Sequence, residues 1–191
     1  MKNIILASQS PRRQQLLKQI GLEFEVVSGD YQENFSLKLP PREMAQLFSQ
    51  EKARAVAEKC PENIIIAADT LVISRGQVLG KPQTPAKAKQ MLNQINGQKI
   101  SSVSGVTILE TPERREHTQI VETDIHMARF SETEIDNYIA TGETLDKAGA
   151  FALQGVGALL IEGINGSYSN VVGLPLWETY QMLKKFNIKI I

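Results

Sequence analysis

The sequence has a single cysteine, Cys60, so it cannot form an intramolecular disulfide and suits a reducing compartment. Cys60 precedes Pro61 at the end of a helical pattern, with no basic cluster nearby to activate it, which is the setting of an inert thiol. No stretch approaches the ~20 consecutive apolar residues needed to span a bilayer. Met1 to Ala7 has one lysine and too short an apolar run for a secretory signal, so the expectation is a cytoplasmic chain with no membrane partner. An excess of one charge is also missing. Lys and Arg total 21 and Asp and Glu total 21, whereas a nucleic-acid binder normally carries a positive surplus. There is no Gly-x-x-x-x-Gly-Lys-Ser/Thr loop and no Gly-x-Gly-x-x-Gly after a strand, which argues against two common nucleotide cradles. His117 and His126 lack metal-ligand spacing and a nearby nucleophile motif, so both read as structural or solvated. Internal repeats, low-complexity tracts and flexible linkers are absent as well.

What is present is an ordinary globular composition, 42% hydrophobic and 22% charged over 191 residues. That is enough for one large domain or two tightly joined lobes, and the lack of a linker favours a single unit, 1–191, with two lobes and a central cleft. A chain of this size buries roughly 70% of its unfolded surface, so its core needs no structural metal. Strands are predicted at Ile4 to Leu6, Phe24 to Val27 and Ile64 to Ala68. A hairpin is predicted from Leu71 to Leu79 around Arg75-Gly76, with long strands at Ile100 to Leu109 and Gln119 to Phe130 and a further strand at Gly157 to Ile164. Helical spacing covers Pro11 to Ile20, Pro41 to Glu58, Pro85 to Ile95, a segment opened by Ser131 with Glu134 at the capping-box position, and Leu176 to Phe186. Helices and strands interleave and consecutive strands also occur, which predicts an α/β fold with a mixed sheet.

Four polar clusters lie beside strand ends or helix starts. Ser8, Ser10, Arg12 and Arg13 open the first helix, with Ser10 as the expected N-cap. Two arginines in a first turn oppose the helix dipole, and a bound polyphosphate would remove that conflict. On local sequence alone the cluster reads equally well as a capped helix with solvent-facing arginines. Asp69-Thr70 ends a buried apolar run, where open α/β sheets usually place ligands, although a capping aspartate is an alternative. Asp69 is suited to bind magnesium, to orient an attacking water, or to do both. Lys52, and Lys81 in Gly80-Lys81-Pro82-Gln83, would each alone be a solvated lysine. Glu33 alone would be an exposed loop acid. The fourth cluster is Asp146-Lys147-Ala-Gly with Gln154-Gly155. Together these residues suit phosphoryl chemistry without identifying the bond cut.

In series, Ala7-Ser-Gln-Ser-Pro-Arg-Arg13, Ala68-Asp-Thr70, Gly80-Lys-Pro-Gln83, Asp146-Lys-Ala-Gly149, Gln154-Gly155 and Ser169-Asn-Val-Val-Gly-Leu-Pro175 resemble the Maf family of nucleotide pyrophosphatases over almost the whole chain. The resemblance implies a two-lobed fold like that of the inosine triphosphate pyrophosphatases, with an elongated mixed sheet flanked by helices. It also implies a divalent cation, normally Mg2+, and homodimers in many members. By resemblance, Asp69 is the proton acceptor, and Ser8, Arg12, Arg13, Lys52 and Lys81 handle phosphate. Glu33 is a catalytic or metal-associated acid, and Glu33 with Asp69 forms the metal site.

The branch resembling dTTP and UTP pyrophosphatases has Arg, Thr and Gln at three discriminating positions, here Arg12, Thr70 and Gln154. The chemistry agrees, because a Gln amide both donates and accepts along the pairing edge of uracil or thymine. Modified pyrimidine triphosphates come within the same reading. The alternatives are the 7-methyl-GTP branch of the family and a nucleotide-binding regulator of septum formation that does not hydrolyse. Three positions depart from the family pattern: Gln32 where an acidic neighbour of Glu33 is common, Val156 where an arginine is expected, and Ser167 where an aspartate is expected.

Overall fold

The computed structural model describes residues 2–111, 113 and 115–191. Met1 of the N-terminal stretch, and Pro112 and Arg114 of the polar segment joining the two long strands, lie outside the described residues. In chain order the elements are β1 (Ile4–Leu6), α1 (Pro11–Gln19), β2 (Glu25–Val26), α2 (Pro41–Ala57), β3 (Ile64–Ser74), β4 (Gln77–Leu79), α3 (Pro85–Ile95), β5 (Lys99–Glu110), β6 (Arg115–Met127), α4 (Glu132–Ala140), β7 (Ile161–Asn165), α5 (Tyr168–Val172) and α6 (Leu176–Lys185). Short 3-10 turns cover Ala148–Ala150 and Gly155–Leu160. The strand order is β2-β1-β3-β5-β6-β7, with β4 paired to β3. Parallel pairs (β1 with β2 and β3) and antiparallel pairs (β3 with β4, β6 with β7) make the sheet mixed, as the interleaved pattern predicts. Among the described residues no helix is long and apolar enough to cross a membrane.

The chain divides into two compact units, and β3, β5 and β6 each contribute residues to both. The first unit comprises Met1–Thr70, Ser104–Val121 and Gly173–Ile191. In it, β1 pairs in parallel with β2 on one side and with β3 on the other, with Leu6 opposite both Val26 and Ile66. The β1-to-β2 and β2-to-β3 crossovers run in opposite lateral directions, so right-handed connections put α1 and α2 on opposite faces. Alternation along β3 turns Ile65 and Ala67 toward α2, where they join Ile5, Ala7, Ala53, Val56 and Leu109 in one buried cluster. A Cβ built on Gly105 would lie 2.2 Å from the Ala45 carbonyl oxygen, so the bare glycine is what lets α2 seat directly on β5.

The second unit comprises Leu71–Val103 and Glu122–Val172. Its core gathers Val72, Leu79, Leu92, Ile95, Ile125 and Ile135, with further residues of α3, α4 and the 148–160 segment. The β3–β4 hairpin turns at Arg75 (φ 51°) and Gly76 (φ 76°), the pair of left-handed residues that a tight hairpin requires. Ser131 and Glu134 form both bonds of the capping box at the start of α4.

Three local expectations need correction. β3 does not end at Asp69-Thr70 but runs through to Ser74, because no Gly or Pro interrupts the apolar residues that follow and both polar side chains find partners, Asp69 in Lys52 of α2 and Thr70 in Ser104 of β5. The segment from Gly157 to Leu160 is a 3-10 turn and not the start of a strand, since Gly155 is left-handed and the next two amides are held by a carboxylate. Ser10 stands at the N-cap of α1, but its side chain makes no capping bond. Instead the Ser8 hydroxyl accepts the Ser10 N–H at 3.2 Å.

Candidate active site

β1 stops at Leu6, opposite Ile66, and the Ala7 N–H still donates to the Ile66 carbonyl at 2.8 Å. β3 continues past that end, so Asp69 stands at the carboxyl edge of the parallel strands although it is mid-strand. The strand pleat points Asp69 to the same face as Ile65 and Ala67, the face covered by α2. On α2, Ser49, Ala53 and Val56 form the buried stripe, and Lys52 borders it one turn along from Ser49 and Val56. Its stem is thereby laid against the sheet with the ammonium at Asp69. The Lys52 Nζ pairs with Asp69 Oδ1 and, at 2.6 Å, with Glu33 Oε1. Glu33 comes from the irregular stretch between β2 and α2. Side-chain exposure falls from 35% at Glu33 through 18% at Lys52 to 8% at Asp69, so the triplet runs from the surface into the protein. Two carboxylates around one ammonium leave a formal charge of −1 on the triplet, and the Arg13 guanidinium lies within the field of both carboxylates.

The other face of β3 carries a second network. Thr70, pointing opposite to Asp69, shares a 2.8 Å hydrogen bond with the Ser104 hydroxyl and donates to the Gly173 carbonyl at 3.2 Å. Arg13, from the first turn of α1, reaches the same place. Its Nε donates to the Gly173 carbonyl at 2.9 Å, Nη1 to Ser8 Oγ at 3.2 Å and Nη2 to Thr70 Oγ1 at 3.4 Å. Three of the five guanidinium N–H groups therefore face protein acceptors. Burial pulls Arg13 below the usual arginine value and Arg12 pushes the same way, while the Asp69 and Glu33 charges oppose them. Tyr31 feels the same field. Burial raises its phenol above the usual value, with Glu51, Glu33 and Asp69 adding to the rise. The first unit thus brings Ser8, Arg13, Glu33, Lys52, Asp69 and Thr70 into two adjoining networks on the two faces of one strand, with Arg12 beside them on the half-buried first turn of α1.

Lys81 and Gln154 belong to the second unit, and both are exposed there. The loop of Lys81 is tied to the Asp146-Lys-Ala-Gly segment by a 3.1 Å bond from the Gly149 N–H to the Gly80 carbonyl. Gly149 (φ 70°) and Ala150 (φ 63°) are successive left-handed residues, a strained turn of the kind kept where position matters. Gln154 leads into the 3-10 turn whose Val156 and Gly157 amides donate to the Glu143 carboxylate at 3.0 and 3.1 Å.

Sequence reasoning missed Ser104, the Gly173 carbonyl, Tyr31 and Glu143. The only signal for Gly173 was its place in the Ser169 to Pro175 string, since a backbone carbonyl has no side-chain signature. Of the departures from the family pattern, Ser167 does what an aspartate would do at a helix start. Its Oγ accepts the Asn170 N–H at 3.2 Å.

A dTTP/UTP pyrophosphatase of Methanococcoides burtonii is 44% identical over all of this chain and 98% of its own length. That of Methanosarcina mazei is 46% identical over all of this chain and 97% of its own. That of Ruminiclostridium cellulolyticum is 42% identical, with both chains covered completely. Among solved structures, a HAM1 protein from Coxiella burnetii aligns over 97% of this chain and 100% of its own at 15% identity and a TM-score of 0.49, too loose a likeness to carry an argument. The family model described as "Maf-like protein" matches residues 3–186, and this chain belongs to that family.

Proposed function

We propose that this chain hydrolyses the pyrimidine triphosphates dTTP and UTP between the α- and β-phosphates, giving the nucleoside monophosphate and pyrophosphate. The observation that supports this most is the Glu33–Lys52–Asp69 triplet at the carboxyl edge of the parallel strands, in a chain whose full-length relatives are named for that activity. Asp69 takes the proton of a water that attacks the α-phosphorus in line. Lys52 holds the Asp69 carboxylate in place and supplies positive charge where negative charge develops. Ser8, Arg12 and Lys81 bind phosphate oxygens, and Arg13 uses its remaining N–H groups in the same way while fixing Ser8 and Thr70. Arg12, Thr70 and Gln154 discriminate the base. Gln154 faces the pairing edge of the pyrimidine, and cytosine would leave polar groups there unpaired.

A divalent cation fits the residues present. One ammonium already draws Glu33 and Asp69 onto a single positive charge, and magnesium commonly uses one or two carboxylates with waters and phosphates completing its shell. Glu33 and Asp69 would hold it, and when bound it would neutralise charge on the phosphate oxygens. A cytoplasmic setting suits the lone Cys60 and a nucleotide substrate.

The test is pyrophosphate release with magnesium from dTTP, UTP, CTP, dCTP, GTP, ATP and 7-methyl-GTP, with Asp69→Asn as the control. The expected result is a preference for dTTP and UTP, with loss of at least about 10²-fold in the variant. A preference for 7-methyl-GTP, or tight binding without turnover, would overturn it.

A further inference from the structure

We infer that Glu143 is a positioning residue that sets how Gln154 meets the base, so that nucleobase selectivity depends on it. This rests on the reading of Gln154 given above.

The geometry starts at the end of α4. Thr141 Oγ1 donates to the Tyr138 carbonyl at 2.7 Å, Gly142 turns the chain at φ 78°, and the Glu143 N–H returns to Thr141 Oγ1 at 3.2 Å. Glu143 therefore leaves a closed turn, with its backbone anchored. Its two oxygens then divide over two successive amides, Oε1 on Val156 at 3.0 Å and Oε2 on Gly157 at 3.1 Å. Amides in the first turn of a helical segment have no internal partner, and a carboxylate is the strongest neutral-pH acceptor for them. The clamp begins two residues beyond Gln154, which is itself extended (φ −105°, ψ 153°).

The surrounding packing leaves the segment no slack. A Cβ on Gly155, at φ 76°, would lie 2.5 Å from Glu143 Oε1. A Cβ on Gly157 would lie 2.5 Å from both the Ala152 carbonyl oxygen and the Tyr138 hydroxyl. Two glycines thus let the backbone close onto Glu143 on one side and onto Ala152 and Tyr138 on the other. Gln154 is exposed, and a long side chain can read a base edge only from a fixed Cα. Misplacing a contact by about 1 Å can cost roughly 10²-fold. The carboxylate supplies that fixity from outside the chemical step.

The experiment compares kcat/KM for UTP and CTP in the wild type, Gln154→Ala, Glu143→Gln, Glu143→Ala and the double variant. Glu143→Ala is expected to lower the UTP-to-CTP ratio about tenfold, through a higher KM for UTP with kcat changed less than about threefold. Glu143→Gln, which keeps one acceptor oxygen, falls between. The double variant discriminates no worse than Gln154→Ala. A fall of both substrates in equal proportion in the Glu143 variants, while Gln154→Ala collapses the ratio, would overturn the inference and leave the base-reading role intact. An unchanged ratio in Gln154→Ala would sink that role and the inference with it. Should Glu143→Ala not fold, amide hydrogen exchange in the wild type decides. Protected Val156 and Gly157 amides support the clamp, and exchange at the rate of an open loop contradicts it.

Discussion

At the scale of single residues, the candidate site depends on Lys52. Its ammonium is the positive charge paired with Asp69, which is 8% exposed, and it also meets Glu33. Truncating it leaves a buried carboxylate facing a second one, and the cost of breaking a largely buried pair exceeds the net worth of the pair. Lys52→Ala is expected to destabilise the protein by about 2–3 kcal/mol, read by urea melts. Millimolar magnesium should restore part of that loss, because a divalent cation can take the ammonium's place between the carboxylates. A melt indifferent to magnesium would contradict the assignment of Glu33 and Asp69 as its ligands. These residue types were legible in the sequence because the clusters combine acids and bases beside strand ends. Their pairing was not, because Lys52 and Asp69 are 17 residues apart and meet only when α2 folds over β3.

At the scale of elements, α2 decides where the chemistry can be. It lies on the face where Ile65, Ala67 and Asp69 point, and Gly105 lets it approach β5 to backbone contact. Gly105→Ala is expected to cost about 3 kcal/mol or more, since the obstacle is the Ala45 carbonyl and not the end of a flexible side chain. A variant that melts within about 0.5 kcal/mol of the wild type would show that α2 rides farther from β5 than described. The helices were readable from apolar spacing and from Pro11, Pro41 and Pro85 at their first turns. The end of β3 was not. Asp69-Thr70 looks like a stop because polar pairs usually close strands, yet Lys52 satisfies one and Ser104 and Gly173 the other. The 3-10 turn after Gln154 was misread for a similar reason. Its apolar residues resemble a strand, and the Glu143 clamp that curls them is 13 residues away in sequence.

At the scale of the whole molecule, the formal charge is zero and acid sensitivity rests on particular groups. His117 accepts from Lys185 at 2.8 Å, where Arg115 also donates to the Lys185 carbonyl at 2.8 Å and stands over the Phe186 ring. Burial first, and the Lys185 charge second, lower the His117 pKa from 6.5. The unfolded chain then binds the proton more readily. The stability from neutral His117 is complete above about pH 6.5 and is lost as pH falls through the lower folded value. Melting temperatures from pH 7.5 to 5.5 should fall less in His117→Gln than in the wild type, and parallel curves would refute this.

The most direct test of the proposed chemistry is turnover of UTP in H2(18)O, with mass analysis of both products. One labelled oxygen is expected in the monophosphate and none in pyrophosphate, because water attacks the α-phosphorus. Label in the pyrophosphate, or release of UDP and inorganic phosphate, would contradict it.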